Sequence, residues 1–147
     1  MITFRQKVQA IETFYVFSFA GVSKEQTIVY PLEPEVVKNI QEINMQFGNY
    51  RIGILSESGN FWVRYAGRTD NGGLVDRLVA HYNEKDFQNN QYYFDYESAV
   101  DDKAAYIQEC KDYHRFLDDE GFFLNRIHPD RPNGTSYQCP GCGCPNY

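Results

Sequence analysis

The chain has 147 residues, which is enough for one domain with a hydrophobic core and marginal for two. Its formal net charge of −6 argues against a protein that coats nucleic acid by electrostatics alone, and no stretch is long enough to span a bilayer. Aromatic residues make up 16% of the chain, which favours a core of rings on strands and short helices. The apolar run at 14–20 is not typical of a signal peptide, so we expect a buried strand there and a cytoplasmic protein.

Residues 1–49 are predicted to form an N-terminal extension that packs on the following domain and enlarges its core. Within it, Thr27–Tyr30 is typical of a short strand that Pro31 ends. The next segment, Pro34–Ile43, has proline in its first turn and apolar residues at helical spacing, and Gly48 follows it. This pattern predicts a helix.

A β-hairpin is the clearest element of residues 50–128, which we predict to be the main domain. Two apolar strands, Tyr50–Leu55 and Phe61–Ala66, flank a loop of turn-forming residues at 56–60. Gly72 and its neighbours then break the chain. The remaining predicted elements are a helix at Leu74–Tyr82, a strand at Tyr92–Asp95, a helix that a capping box at Ser98–Asp101 begins and that ends near Asp118, and a last strand at Phe122–Ile127.

The helix at Leu74–Tyr82 carries the first candidate site residues. Arg77 and His81 are four residues apart, so they lie on the same face, at the edge of the apolar arc. Such an edge suits a phosphate-binding guanidinium and a proton-transfer group beside a cleft. On this pair alone, however, a surface arginine and a solvated or capping histidine are the favoured interpretation.

The long helix after residue 101 adds an acidic residue in an unusual place. Glu109 aligns with Ala105 and Tyr113, on the border of the apolar side. A carboxylate there needs a partner, because an uncompensated buried charge is strongly unfavourable. That partner is either a salt bridge, for example with Arg77, or a divalent cation such as Mg²⁺. The solvent-facing side of this helix is predicted to hold Gln108, Lys111, Asp112 and Arg115.

The order of these motifs resembles a known family. Gly53-Ile54-Leu55, followed after nine residues by Tyr65-Ala66-Gly67, resembles the paired strands that name the GIY-YIG nuclease superfamily. The resemblance covers roughly Tyr50–His128. It implies an α+β fold with a small central antiparallel or mixed β-sheet flanked by helices. The matching positions beyond the hairpin are Arg68, Arg77, His81, Glu109 and Asn125.

The resemblance also implies roles for these residues. Tyr65 would help to activate the attacking water, and Arg77 would hold the scissile phosphate. His81 would handle protons, and Glu109 would be the single carboxylate that binds Mg²⁺ or Mn²⁺. Arg68 and Asn125 would be further polar residues at the catalytic site. The implied reaction is metal-assisted hydrolysis of a phosphodiester by water, without a covalent intermediate.

One departure from the family pattern bears on activity. Leu55 stands where the family has a tyrosine, and Tyr50 lies five residues earlier on the strand, which places it on the opposite face. The sequence therefore predicts a site without the first tyrosine, and a catalytically weakened or inactive binding or regulatory module is the alternative function. As partner we expect nucleic acid, with DNA favoured over RNA, and no membrane. We expect no organic cofactor.

The C-terminal tail, residues 129–147, is predicted to be irregular and holds a second candidate site. Its run Cys139-Pro-Gly-Cys142-Gly-Cys144 resembles half of a zinc ribbon. A tetrahedral Zn²⁺ site would take all three cysteines and a fourth ligand from Cys110, His114, His128 or another chain. A tail with reduced thiols is the alternative, and a structural or stress-related protein with a zinc tail is a third function.

Overall fold

The computed structural model describes residues 13–18, 21–40, 45–117 and 122–143. A single-turn 3₁₀ helix at Lys85–Phe87 accompanies the regular elements. These elements are β1 (Thr13–Ser18), β2 (Gly21–Ile28), β3 (Tyr30–Pro31), α1 (Pro34–Asn39), β4 (Gly48–Leu55), β5 (Asn60–Thr69), α2 (Leu74–Tyr82), β6 (Tyr93–Ser98) and α3 (Asp102–Phe116).

The strands form one six-stranded mixed sheet in the order β2-β1-β5-β4-β6-β3. β1 runs parallel to β5, and the other neighbouring pairs are antiparallel. The predicted α+β class is confirmed. The described part of the N-terminal extension supplies three of the six strands, so it completes the sheet that the hairpin begins.

Two apolar clusters lie against the sheet. The first is covered by α1 and α2 and holds Ile52, Leu78 and Phe94, all fully buried. The second holds Phe61 from β5 and Phe116 from α3. Side chains alternate between the two faces along β4, which places one cluster on each face of the sheet.

A bulge in the hairpin decides which side chains share a face. Ile52 pairs with Tyr65, but the next residue, Gly53, pairs with Val63, so Arg64 is an extra residue in β5. Tyr65 is thereby turned to the face of Ile52 and the first cluster, whereas Val63 stays in the second. A glycine is required at the bulge, because a Cβ at Gly53 would overlap the carbonyl group of Trp62.

Several predicted elements need correction at their ends. α2 has the predicted bounds, whereas α1 ends at Asn39, with the extended residue Ile40 as its C-cap, and the rest of its predicted length, at 41–43, lies outside the described residues. The capping box is wrong, because Ser98 still belongs to β6. Asp101 is the N-cap of α3, and its carboxylate accepts a hydrogen bond from the Ala104 N–H. Of the predicted end of that helix, residue 118 lies outside the described residues.

The predicted strand at 122–127 is also wrong. The segment follows the edge of β5 without regular pairing: the Leu124 N–H donates to the carbonyl of Arg64. One residue on, the Asn125 side chain takes over, because its amide bonds both the N–H and the carbonyl of Ala66 (2.9 and 2.8 Å). A side chain therefore makes the contacts that a strand would make with its backbone. Among the described residues, no helix is both long and apolar enough to cross a membrane.

Candidate active site

A cleft of about 150 Å³ opens at the edge of β5, where the hairpin, α2 and α3 meet. Four of the predicted site residues line it together, two from β5 and one from each helix. The remaining predicted residues, His81 and Asn125, lie directly beside it. The lining residues are Tyr50, Tyr65, Gly67, Arg68, Asp70, Arg77, Glu109 and Asp130.

Glu109 is the acidic centre of the cleft. Its Oε1 accepts a hydrogen bond from Nη1 of Arg68 (2.5 Å), and the same guanidinium also binds Asp70 (3.1 Å). Burial raises the pKa of Glu109 to about 7, although Arg68 acts in the opposite direction. The salt bridge expected with Arg77 is therefore made by Arg68 instead. At neutral pH the carboxyl group is divided between its protonated and charged forms, which leaves it ready to exchange a proton for a cation.

Two tyrosines form the floor of the cleft. The rings of Tyr50 and Tyr65 are stacked, with centroids 6.2 Å apart. Gly67 makes this possible, because a Cβ at this position would overlap the Tyr50 ring. Burial raises the pKa of both phenols, that of Tyr50 well above its ordinary value. Both are therefore neutral hydrogen-bond donors at physiological pH.

His81 connects this floor to a second carboxylate. Its Nε2 lies 2.9 Å from the Tyr50 hydroxyl, and its Nδ1 lies 3.1 Å from Oε1 of Glu84. Burial lowers the pKa of His81, whereas Glu84 acts to raise it. A neutral imidazole whose Nε2 accepts from Tyr50 carries its proton on Nδ1, and that N–H lies close to the Glu84 carboxylate without the alignment of a hydrogen bond.

Arg77 is the exposed cation at the rim of the cleft. It belongs to the first turn of α2, where its N–H donates to the carbonyl of Gly73. Gly73 is the N-cap residue and has a φ of 83°, a conformation that favours glycine. With two guanidiniums and three carboxylates (Arg68, Arg77, Asp70, Glu109 and Asp130), the lining carries a formal charge of −1 when all five are ionised.

Sequence reasoning missed three polar residues that line this cleft: Tyr50, Asp70 and Asp130. Tyr50 was expected on the wrong face relative to the second motif, but the extra residue in β5 turns Tyr65 toward it, and Leu55 packs against the second cluster instead. The triplet Gly48-Asn49-Tyr50 has a glycine and a tyrosine at the spacing Gly-x-Tyr, and this was the signal that could have identified Tyr50. Asp130 follows Pro129 in the irregular tail and had no periodic pattern to mark it.

Asp130 belongs to the irregular segment that follows α3. Residues 124–130 line a groove of about 340 Å³ that continues from the cleft and also contacts Tyr65 and Glu109. Asn125 holds this segment against β5 with both atoms of its amide. Both polar atoms of the Asn125 side chain are hydrogen-bonded to the backbone of Ala66. Asn125 therefore holds the wall of the cleft in position.

A second group of ligand-type side chains lies at the far end of α3. His114, His128, Cys139 and Cys142 each offer one atom, and these atoms all lie within 4.8 Å of one another. Burial, and the nearby His128, lower the pKa of His114, so its imidazole is neutral. The cluster can hold a metal ion. Of the predicted ligands, Cys139 and Cys142 belong to it, and Cys144 lies outside the described residues.

A larger cavity of about 550 Å³ lies between β2, β4, β6 and α3 and shares Tyr50 with the cleft. Its floor is a buried ion pair, in which the guanidinium of Arg51 binds Asp95 through Nε and Nη2 (2.6–3.2 Å) and reaches Glu25 (2.9 Å). Asp112 faces the same cavity and is only 4% exposed, so its predicted place on a solvent-facing side is wrong. Burial raises the pKa of Asp112 to about 6.

No protein-family model matches the chain, and neither the curated proteins nor the solved structures include a significant match.

Proposed function

We propose that the chain is a GIY-YIG-like endonuclease that hydrolyses phosphodiester bonds of nucleic acid, DNA in preference to RNA, with Mg²⁺ or Mn²⁺. One observation carries the proposal: Tyr50, Tyr65, Arg77 and Glu109 line a single cleft. Two phenols, a guanidinium and a carboxylate within reach of one phosphate are the groups that this hydrolysis requires. Zn²⁺ is proposed for the separate histidine–cysteine cluster, because imidazole and thiolate are its preferred ligands.

The pairing of the two strand motifs supports the resemblance. Gly48-Asn49-Tyr50 has the Gly-x-Tyr form of the first family motif, and it runs antiparallel to Tyr65-Ala66-Gly67. Tyr50 pairs with Gly67, whose missing side chain makes room for the Tyr50 ring. With this alignment the first-motif tyrosine is present, which removes the reason for expecting weakened catalysis.

Glu109 fits the role of the cation ligand. It is a carboxylate with a raised pKa, and its Oε2 accepts no hydrogen bond from the described residues. A bound Mg²⁺ or Mn²⁺ would supply positive charge to the phosphate oxygens and lower the pKa of the attacking water. The lining has a formal charge of −1 without a cation, so we expect a phosphate to bind only after the cation.

The protein's own groups can move the proton of the water. The Tyr50 hydroxyl donates to Nε2 of neutral His81, and Glu84 stabilises the positive charge that develops when the imidazole accepts a proton. Tyr65 stacks on this pair and orients the water at the mouth of the cleft. Arg77, on the exposed side, stabilises the charge that grows on the phosphate oxygens.

The test is a cleavage assay with plasmid, single-stranded and branched DNA and with RNA, in Mg²⁺ and in Mn²⁺. We expect Glu109→Gln and Arg77→Ala each to lower the rate on the order of 10²–10³-fold. Lys111→Ala is the matched control, because Lys111 is exposed and lies on the same helix as Glu109. Cleavage that persists in Glu109→Gln, or no cleavage of any substrate by the native chain, would contradict the proposal.

A binding module without activity is the second candidate, and the ion pair between Arg68 and Glu109 favours it. If that pair stays closed, Glu109 is unavailable to a cation. Calorimetric titration with Mn²⁺ separates the two functions: an endonuclease loses one binding event in Glu109→Gln, whereas a closed site shows no Mn²⁺ binding that depends on Glu109. A binding module would still retain nucleic acid on a filter when cleavage is absent.

A further inference from the structure

We propose that His114, His128, Cys139 and Cys142 bind one Zn²⁺ tetrahedrally, and that this ion fastens the C-terminal segment to α3. The two histidines replace Cys144 as the ligands that complete the set. The four ligand atoms lie within 4.8 Å of one another, although they come from three separate parts of the chain. Ligand binding by these four residues is independent of any nuclease activity at the cleft.

The distances agree with a zinc centre. With Zn–S of about 2.3 Å and Zn–N of about 2.0–2.1 Å, two ligands at a tetrahedral angle are about 3.6 Å apart. Sγ of Cys142 lies 3.6 Å from Nε2 of His128. Two imidazoles and two thiols are a closed set of four for Zn²⁺, whereas Mg²⁺ and Ca²⁺ prefer oxygen ligands.

Each imidazole has an Nε2 that a metal could take. Nδ1 of His128 lies 2.9 Å from the carbonyl of Pro129, and a proton held there leaves the lone pair on Nε2 for a metal. Nε2 of His114 is buried, and it finds no hydrogen-bond partner among the residues that the structure describes. A buried nitrogen without a partner is unfavourable, and a metal bond would satisfy it.

The turn between the two cysteines is shaped to fit α3. The N–H of Gly143 donates to the carbonyl of Cys139 (2.6 Å), which closes a tight turn, and Gly143 has a φ of 64°. Gly141 lies directly on the His114 ring, because a Cβ there would overlap Cγ and Cδ2 of the imidazole. The glycines therefore let both sulfurs approach the histidine that α3 supplies.

The thiols must be reduced for this site to form. Cys139 is already a free thiol, whereas Cys142 is disulfide-bonded in the structure. A phosphine such as TCEP transfers two electrons to the disulfide and becomes the phosphine oxide, taking its oxygen from water, and both sulfurs become thiols. Cys139 and Cys142 then release their protons to solvent when they bind the metal. Cys110 packs against Tyr106 and is outside the cluster.

The centre has a structural consequence at the cleft, and this part rests on the proposed function. His114 lies on the helix that carries Glu109, and His128 lies two residues before Asp130. Glu109 and Asp130 line the cleft together. One ion thus connects the element that holds the carboxylate ligand with the segment that forms the opposite wall.

The experiment is metal analysis of the full chain, purified with TCEP and given equimolar Zn²⁺. We expect about one Zn²⁺ per chain after desalting, and loss of that Zn²⁺ in His114→Ala and in Cys142→Ser. The matched controls are Cys110→Ser and Cys144→Ser, which keep the metal. Zinc retained by His114→Ala, zinc lost from Cys144→Ser, or no zinc in the native chain would overturn the proposal.

Two further measurements protect the test against variants that do not fold. Titration of the native chain with Co²⁺ should give the strong visible absorption of a tetrahedral ion with two thiolates, whereas the weak spectrum of an octahedral ion would overturn the ligand set. Trypsin reports on the segment, because Arg126 is exposed, lies two residues before His128 and is followed by Ile127. A chelator should accelerate cleavage at this site in the native chain. An unchanged rate of trypsin cleavage would show that the ion does not hold the wall of the cleft, whether or not the cleft has nuclease activity.

Discussion

Asp112 offers the sharpest test of the energetics, because it is a buried carboxylate with an incomplete set of partners. The guanidinium of Arg51 is already used by Asp95 and Glu25, and the side-chain hydrogen bond of Asp112 comes from Nε2 of Gln108 (3.1 Å). We expect Asp112→Asn to stabilise the protein above pH 6, since it keeps the shape and the acceptor and removes the surplus charge. Asp112 is two residues from His114, which is the residue of α3 that belongs to the histidine–cysteine cluster. The two side chains therefore lie on different sides of α3.

The magnitude follows from the pKa. Burial raises the pKa of Asp112 from 3.8 to about 6, so the folded protein binds more protons than the unfolded chain between these two values. The contribution of this group to stability is therefore intact below pH 3.8 and falls as the pH rises to 6. The loss is about 0.5 kcal/mol at pH 4 and about 3 kcal/mol at pH 8, from 1.36 kcal/mol per pKa unit.

Urea denaturation at pH 4, 6 and 8 measures this difference. The gain in free energy of unfolding from Asp112→Asn should be about 2–3 kcal/mol larger at pH 8 than at pH 4. Asp95→Asn is the matched control, because it takes the bidentate partner from Arg51 and should destabilise the protein by about 3–5 kcal/mol. A gain that is equal at pH 4 and pH 8, or a loss of stability at pH 8, would refute the reasoning.

Three more substitutions test the geometry of the cleft. Gly67→Ala places a methyl group on the buried ring of Tyr50 and should lower the free energy of unfolding by about 1–3 kcal/mol in urea. Asn125→Ala leaves the buried backbone groups of Ala66 without partners and should also lower it by about 1–3 kcal/mol, so stability equal to the native value would contradict the assigned role. Tyr50→Phe keeps the ring but removes the donor to His81, so stability should fall by only about 1 kcal/mol while cleavage falls about 100-fold. Native cleavage rates in Tyr50→Phe would exclude this proton path.

The sequence was most informative where periodicity is local. The bounds of α2 follow from apolar residues at helical spacing between Gly73 and Asn83, and the structure has the same bounds. The faces of a strand depend instead on register. One extra residue at Arg64 reverses every later side chain of β5, and no composition signal marks such a residue.

Contacts between residues that are distant in sequence were the other part of the site that the sequence did not predict. Arg68 was predicted as a site residue and Arg77 as a partner of Glu109, but only the crossing of α3 over β5 shows that Arg68 makes the ion pair. The same crossing buries Asp112, whose neighbours in sequence indicate a solvent-facing side. The cysteine motif was visible as a pattern, whereas the approach of His114 to it is a property of the folded chain.

The extra residue at Arg64 also makes the cleft open to redesign by length alone. Insertion of one residue between Ile52 and Gly53 would give Arg64 a partner and leave a ladder of ordinary pleat, in which Val63 and Tyr65 lie on the same face. Either Val63 would then leave the second cluster or Tyr65 would leave the first, while every functional side chain was still encoded. In this fold the spacing between two residues is as much a determinant of chemistry as their identity. A chain with all of the site's residues and one residue more in β4 would lose either the cleft or the core behind it.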